Sequence, residues 1–298
     1  MGKLSSSKNH YIPKFYTKQW AGDDGLLCQV GLYGQHVSAK RRSPEAVGFK
    51  YDLYTIPGVP PEISTYIEDR FLKIADQEAA DAHAVLVAGH INEMTAKNRN
   101  GWTRFIMTLF QRTPEKVVWL AQVWAASHAE AMIAAEVELR KRGDHDEADK
   151  IKNGVEPTSV LVSGAKLLQG MMDLPNLGSF ILGMRWRTLV LDRARRLITS
   201  DHPVVISNGL GGPEGHLVIA VSPTRLFFAA NSQEFLNNLA SIPANTLVEK
   251  YNDLVVSQAS QYVYAEDDTQ IKFITNRLGR HPSQFIAPPD LLARFPRP

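Results

Sequence analysis

The chain has 298 residues, 44% of them apolar, enough to bury a sizeable core as one large domain or two tightly joined halves. Its 33 basic and 31 acidic side chains leave a formal net charge of +2, too small a surplus to give a global field for nucleic acid or anionic lipid. The single cysteine, Cys28, excludes an internal disulfide and a cysteine-rich zinc cage, and apolar runs such as 217–221 fall far below the ~20 residues of a membrane span.

In chain order, residues 1–8 are polar and lack an apolar stretch followed by a cleavage site, so a cytoplasmic protein with no membrane partner is expected. The next stretch, Asn9-His10-Tyr11-Ile12-Pro13-Lys14-Phe15-Tyr16, is too polar for a core strand and too aromatic for a frayed tail. Pro13 biases Ile12 to extended geometry, which predicts an open ribbon with His10, Ile12 and Lys14 on one side and Tyr11 and Phe15 on the other. A strand is expected over 26–32, a loop over 35–48 and a second strand over 51–55, stopped by Pro57, Pro60 and Pro61. Pro61 suits the first turn of a helix whose stripe is Ile63, Ile67, Phe71 and Ile74. Trp102, Phe105, Ile106 and Leu109 predict a short helix ending near Arg112. Thr113-Pro114 then opens a long one to about Arg142 that buries Val117, Ala121, Trp124, Met132 and Ala135. The charged stretch 143–153 reads as a surface loop and 161–172 as a helix. From about Arg185 the character changes to short β-rich runs at 186–191, 197–199, 204–207, 217–222 and 226–230, whose brief connections favour antiparallel pairing. Helices follow at 231–239 and 244–264. The expected fold is α+β: a single domain over 1–298, with a looser split into a mainly helical half (9–183) packed on a small, mainly antiparallel sheet with helices (184–298).

Polar motifs that interrupt apolar elements are the candidates for chemistry. In Ile198-Thr199-Ser200-Asp201-His202-Pro203-Val204-Val205, two strand fragments flank a tight polar knot. Asp201 and His202 at a strand end could orient a proton transfer or ligate a metal together. Ser-Asp is equally good turn chemistry, with the carboxylate tying down backbone N–H groups. Arg112, at a helix end, suits bidentate pairing with a carboxylate or phosphate, or simply faces the helix dipole. Glu78 falls in line with the stripe after Pro61 and Glu68 lies at its edge; a carboxylate facing a core needs a partner or a proton, unless the helix bends or ends before Glu78 and leaves it in water. His83 and His90 lie about 10.5 Å apart along one helix, too far for one metal, and His128 reads as a hydrogen-bonded core histidine. Arg185, Arg187, Arg193, Arg195 and Arg196, beside Trp186, form the one concentrated basic stretch, a nucleic-acid surface or a solvated hairpin. No phosphate-binding glycine loop, serine elbow, His-Glu-x-x-His or Cys-x-x-Cys occurs, and Gly209–Gly212 reads as a hairpin connection.

In this order the motifs resemble a large, mainly bacterial family, the domain of unknown function numbered 4238. The similar elements are His10 to Tyr16 (usually with valine where this chain has Ile12), Leu53-Tyr54, Tyr66-Ile67-Glu68, Gln111-Arg112-Thr113-Pro114, the 198–205 knot, and Tyr251-Asn252 through Ala259 to Tyr264. The family often has asparagine where this chain has His202, which leaves Asp201 the stronger candidate of the pair. The resemblance implies architecture and candidate positions, without a reaction.

These readings together predict that His10, Arg112 and Asp201 converge in one cleft with Glu68 or Glu78 nearby. His10, Asp201 and Glu68 would do acid/base work, with Arg112, Lys14, Ser200 and His202 on the substrate and room for a divalent metal. Hydrolysis of an anionic ester, a phosphodiester above all, is the expected chemistry. The alternative is a non-catalytic binding or sensor protein in bacterial stress or phage defence, in which the His10 ribbon is a fixed arm.

Overall fold

The computed structural model describes residues 7–281 except 35, 57–58, 155–156, 192–194 and 240. The fold is α+β, and every strand pairing among the described residues is antiparallel. β1 (Lys8–His10) pairs with β4 (Phe49–Tyr51) as a two-stranded ribbon. One four-stranded sheet runs β3 (His36–Arg42), β2 (Leu27–Tyr33), β10 (Tyr262–Ala265), β6 (Thr199–Ser200). The other runs β5 (Arg185–Val190), β9 (Arg225–Ala230), β8 (His216–Ser222), β7 (Val205–Ser207). The first sheet draws its strands from both ends of the chain.

Several expectations need correction. The loop over 35–48 contains β3, an edge strand whose Lys40-Arg41-Arg42 run disguises it, since charge on an edge discourages pairing with another chain. The helix over 244–264 is α10 (Ala244–Ser257) followed by β10, because Asp201 pulls the backbone at 260–262 into the sheet. The loop over 143–153 holds a short helix, α6 (His145–Asn153), turned back against the preceding one at Gly143, whose φ of +86° closes that helix. The strand over 51–55 lies earlier, at β4, and ends where Asp52 takes φ +56°. The extended ribbon stops at His10, since Pro13 caps a helical turn, α1 (Lys14–Thr17). Tyr11 and Ile12 are therefore both buried instead of facing opposite ways.

The helix after Pro61 is interrupted. α2 (Pro61–Ser64) is followed by a π-helical turn, Glu68–Leu72, and then α3 (Lys73–Ala88). A π turn inserts one residue and rotates every later side chain. Ile67 and Phe71 face the core as the stripe predicts, but Ile63, ahead of the π turn, is exposed, and beyond the turn Ile74 is turned out and Ala75, Ala79, Ala82 and Leu86 take over. α4 (Ala96–Gln111) packs closely on α3 at Gly101, where a Cβ would lie 2.8 Å from the Glu78 carbonyl oxygen. α5 (Pro114–Arg142) buries Lys116, Trp119, Leu120 and Val123, one step round from the predicted Val117-Ala121-Trp124 face. Its far half leaves Ile133 and Val137 exposed and carries the Glu136–Arg140 and Glu138–Arg142 ion pairs, each one turn apart. His128 is half-buried, with its ring 5.6 Å from Trp124. α7 (Pro157–Met172), α8 (Pro175–Gly183), α9 (Gln233–Leu239) and α11 (Ile271–Thr275) complete the α-helices among the described residues. None of the described helices is long and apolar enough to cross a membrane.

Candidate functional site

The signature residues meet at two adjoining places, and the peptide steps His10-Tyr11 and Arg112-Thr113 run from one to the other. The first is a buried clamp on Arg112. Arg112 follows the last turn of α4, and its side chain is almost wholly buried. Nη1 donates to Asp76 Oδ1 at 2.7 Å, while Nη2 donates to Asp76 Oδ2 at 3.1 Å and to the His10 carbonyl at 2.7 Å. The Tyr54 hydroxyl donates to the Arg112 carbonyl at 2.7 Å. One guanidinium thus ties α3, β1 and the α4–α5 corner together. The π turn makes this feasible. Positions 68 and 76 would stand about 80° apart on a straight α-helix, and the inserted residue brings them onto one face. Burial pushes the Glu68 carboxyl up, and Arg112 only partly offsets this.

His10 gives its carbonyl to the clamp while its ring rests 5.8 Å from Phe49. Burial is the main cause of its lowered pKa of about 4; Lys8, Lys14 and Arg112 push the same way. His83 is likewise held at about 4 by burial, with Nε2 2.7 Å from the Val221 carbonyl. Among the described residues, Asn9 Oδ1, His10 Nε2, Glu68 Oε2 and Arg112 Nε are buried at or next to the clamp and find no hydrogen-bond partner. Lys14 is exposed on α1. Glu78 pairs with Arg104, away from the clamp.

Both histidines have folded pKa values below the ordinary 6.5, so under about pH 6.5 the unfolded chain takes protons that the fold refuses. Stability should therefore decline from pH 6.5 to 4, by roughly 3 kcal/mol per pH unit where both contribute. Urea unfolding across that range, with NMR titration of the two imidazoles, checks it. An imidazole titrating near 6.5 in the folded protein would contradict it.

The second place is an open cleft of about 320 Å³ walled by Tyr11, Phe49, Thr113, Glu115, Asp201 and His202, with Lys50 exposed at its rim. Gly48 docks the signature ribbon here: its carbonyl accepts from Tyr11 N–H and Ile12 N–H at 2.8 and 3.0 Å. Its φ is +59°, and a Cβ would sit 2.8 Å from Ile12 Cβ. His202 Nε2 lies 2.6 Å from Glu115 Oε1, and Gln258 Nε2 donates to the His202 carbonyl. Burial opposes the Glu115 charge, but the His202 contact and the helix-end amide outweigh it and hold the carboxyl at about 2. Ser200 is fully buried, and its hydroxyl accepts from His202 N–H at 3.1 Å. Asp201 is turned inward. Its Oδ1 accepts from Ser260 N–H at 2.8 Å, and Oδ2 accepts from Gln261 and Tyr262 N–H at 2.6 and 2.9 Å. Burial still leaves the Asp201 carboxyl raised despite His202 and the three amides.

A family model described as a protein of unknown function (DUF4238) matches residues 8–269. The chain belongs to that family. No curated protein and no solved structure matches it. The matched span includes every DUF4238-like motif read from the sequence, and residues from most of them, His10, Tyr11, Tyr54, Glu68, Arg112, Thr113, Asp201, His202 and Tyr262, lie at the clamp or the cleft, while Tyr251 and Asn252 bond within the core beside them.

Of the expected site, His10, Glu68 and Arg112 come together at the clamp, and Asp201 and His202 at the cleft beside it, with Ser200 buried behind them. Sequence reasoning missed Asp76 and Glu115. Glu115 had a signal, since an acid just after Thr113-Pro114 sits in the first turn of a helix, where a carboxylate is favoured. Asp76 had none, because its position depends on the π turn. Among the described residues no three His, Cys, Asp or Glu side chains group closely enough to hold a metal ion. In the basic stretch, Arg185 and Arg187 donate to the Asn231 and Leu236 carbonyls, Arg195 and Arg196 face Glu249 and Glu266, and Arg193 lies outside the described residues.

Proposed function

We propose that the protein is a cytoplasmic hydrolase of an anionic ester, a phosphodiester first, with its acid/base chemistry in the cleft at His202 and Glu115. The observation that supports this reading is the 2.6 Å contact between an imidazole and a carboxylate inside an open hollow. A base hydrogen-bonded to an orienting group, facing space for a substrate, is the arrangement proton transfer needs. His202 takes a proton from water as its oxygen bonds to phosphorus, and returns it to the leaving alkoxide as the ester bond breaks. Glu115 holds the ring in place, and Lys50 meets the anion. Asp201, Ser200 and Arg112 act here as positioning residues. Acid/base work by His10 and Glu68, through their unpartnered atoms, belongs to the same proposal.

His202→Gln, which retains a donor towards Glu115, and Glu115→Gln should each lower turnover of bis(p-nitrophenyl) phosphate and cyclic dinucleotides by about 10²–10⁴-fold. Stability should stay within about 1 kcal/mol, and His10→Gln and Glu68→Gln in the same assay show whether those two take part. An inert wild-type protein, or variants that turn over equally well, would remove the hydrolase reading.

A second reading, a non-catalytic binding or sensor protein in bacterial stress or phage defence, draws on a specific observation. Both terminal nitrogens of Arg112 and both oxygens of Asp201 are already engaged within the fold. A wild-type protein without turnover that captures a partner, and loses it on a Lys50→Glu change at the rim, would favour this reading.

A further inference from the structure

A larger cleft, about 500 Å³, opens between α3, α4 and α8 and shares no lining residue with the His202 cleft. We infer that it is a ligand site for a free α-amino acid with an apolar side chain.

Its floor carries a buried, unpartnered hydroxyl. Thr103 is 2% exposed, and its Oγ1 has no hydrogen-bond partner among the described residues. A helical threonine usually returns its hydroxyl to a carbonyl one turn back, as Thr108 on the same helix does to Phe105 at 2.8 Å. Thr103 instead lines the cleft with its hydrogen-bonding capacity unused.

Two cations and two anions line the same cleft: Lys97 at the rim, Arg104, Glu78 and Asp173. Arg104 Nη1 reaches Glu78 Oε2 and Nε reaches Asp173 Oδ1, both at 3.2 Å. Those contacts are longer than the roughly 2.7–2.9 Å of a charge-assisted bond. Nη2 has no partner among the described residues. A purely anionic or purely cationic ligand would meet as much repulsion as attraction here, whereas a zwitterion matches both signs at once.

The start of α8 supplies the remaining polarity. This nine-residue helix has Leu174 as its N-cap with no side-chain cap, and Leu174, Pro175 and Gly178 all line the cleft. Uncapped N–H groups at a helix start favour a carboxylate. The carboxylate is therefore assigned to the α8 start and Arg104, and the ammonium group to Asp173 and Glu78. Thr103 bonds to whichever group lies over the floor. Met107, Leu174, Pro175 and Leu182 give the side chain an apolar wall, and the volume falls in the usual range for small-ligand pockets.

The test uses the full chain in titration calorimetry and thermal unfolding, with L-methionine, L-leucine and L-phenylalanine as probes. Methioninamide lacks the carboxylate and N-acetylmethionine lacks the ammonium group. At least one amino acid should bind one-to-one and raise the Tm by about 2–4 °C at roughly ten times its Kd. Both half-charged probes should bind at least tenfold more weakly. Thr103→Val, which keeps the shape and removes the hydroxyl, and the rim change Lys97→Gln should each weaken binding by about tenfold with the fold intact. No binding by any of the three amino acids, equal binding by the half-charged probes, or unchanged affinity in Thr103→Val would overturn the assignment and leave Arg104 a strut between helices. None of these outcomes bears on the His202 cleft.

Discussion

Arg112→Ala should lower the unfolding free energy by about 3–5 kcal/mol, the cost of breaking a buried ion pair from one side. The guanidinium is buried among Asp76, the His10 carbonyl and the Thr108 hydroxyl. Without it, a three-quarters-buried carboxylate keeps its charge and loses its partner. Arg112→Lys should recover less than half of the loss, because one ammonium cannot replace a fork that meets both Asp76 oxygens and the β1 carbonyl. Asp76→Ala should cost a similar amount, and the double variant should cost far less than the sum. Urea unfolding of the four proteins decides the matter. A loss below about 1 kcal/mol in Arg112→Ala would show that the clamp holds nothing.

Asp201→Ala is the second large effect, expected at about 3–5 kcal/mol. Three backbone N–H groups converge on this one buried carboxylate, and its removal breaks all three bonds at once and unties the 260–262 backbone from the strand end. Asp201→Asn keeps one acceptor oxygen and turns the other position into a donor facing a donor, so it should fall between Ala and wild type. Hydrogen exchange offers a local readout: the amides of Ser260, Gln261 and Tyr262 should lose protection first. If Asp201→Ala unfolds at the wild-type temperature while turnover disappears, the carboxylate is catalytic and its positioning role is wrong.

These two residues mark how far residue types alone carry the interpretation. That Asp201 sits in a polar knot between strand fragments was legible, and so was its alternative as a tie for backbone N–H groups. Which amides it ties was not, because Ser260 to Tyr262 lie about sixty positions away, in a stretch whose apolar content also suits a helix. Arg112 was legible as a helix-end cation awaiting a carboxylate. Its partner is Asp76 rather than Glu68 or Glu78, and no periodicity forecasts that, since the choice follows from one inserted residue in the π turn. The same insertion takes Glu78 off the stripe, as the reading of a helix that bends before it allowed, and leaves Ile74 exposed. β3 was hidden for a different reason: an edge strand with one neighbour needs no apolar alternation, and its charges imitate a loop.

By itself, the sequence determined the α+β class, most helices, the antiparallel runs of the second half and the family, since all of these rest on local periodicity, proline stops and short motifs. Only the tertiary structure decided that β2 and β3 join β10 and β6 in one sheet, that Asp76 closes on Arg112, and that Glu115 meets His202 across a cleft. Each of those pairings spans tens to hundreds of residues. They are fixed by which buried polar groups can satisfy one another once the core has closed, and that condition has no period along the chain.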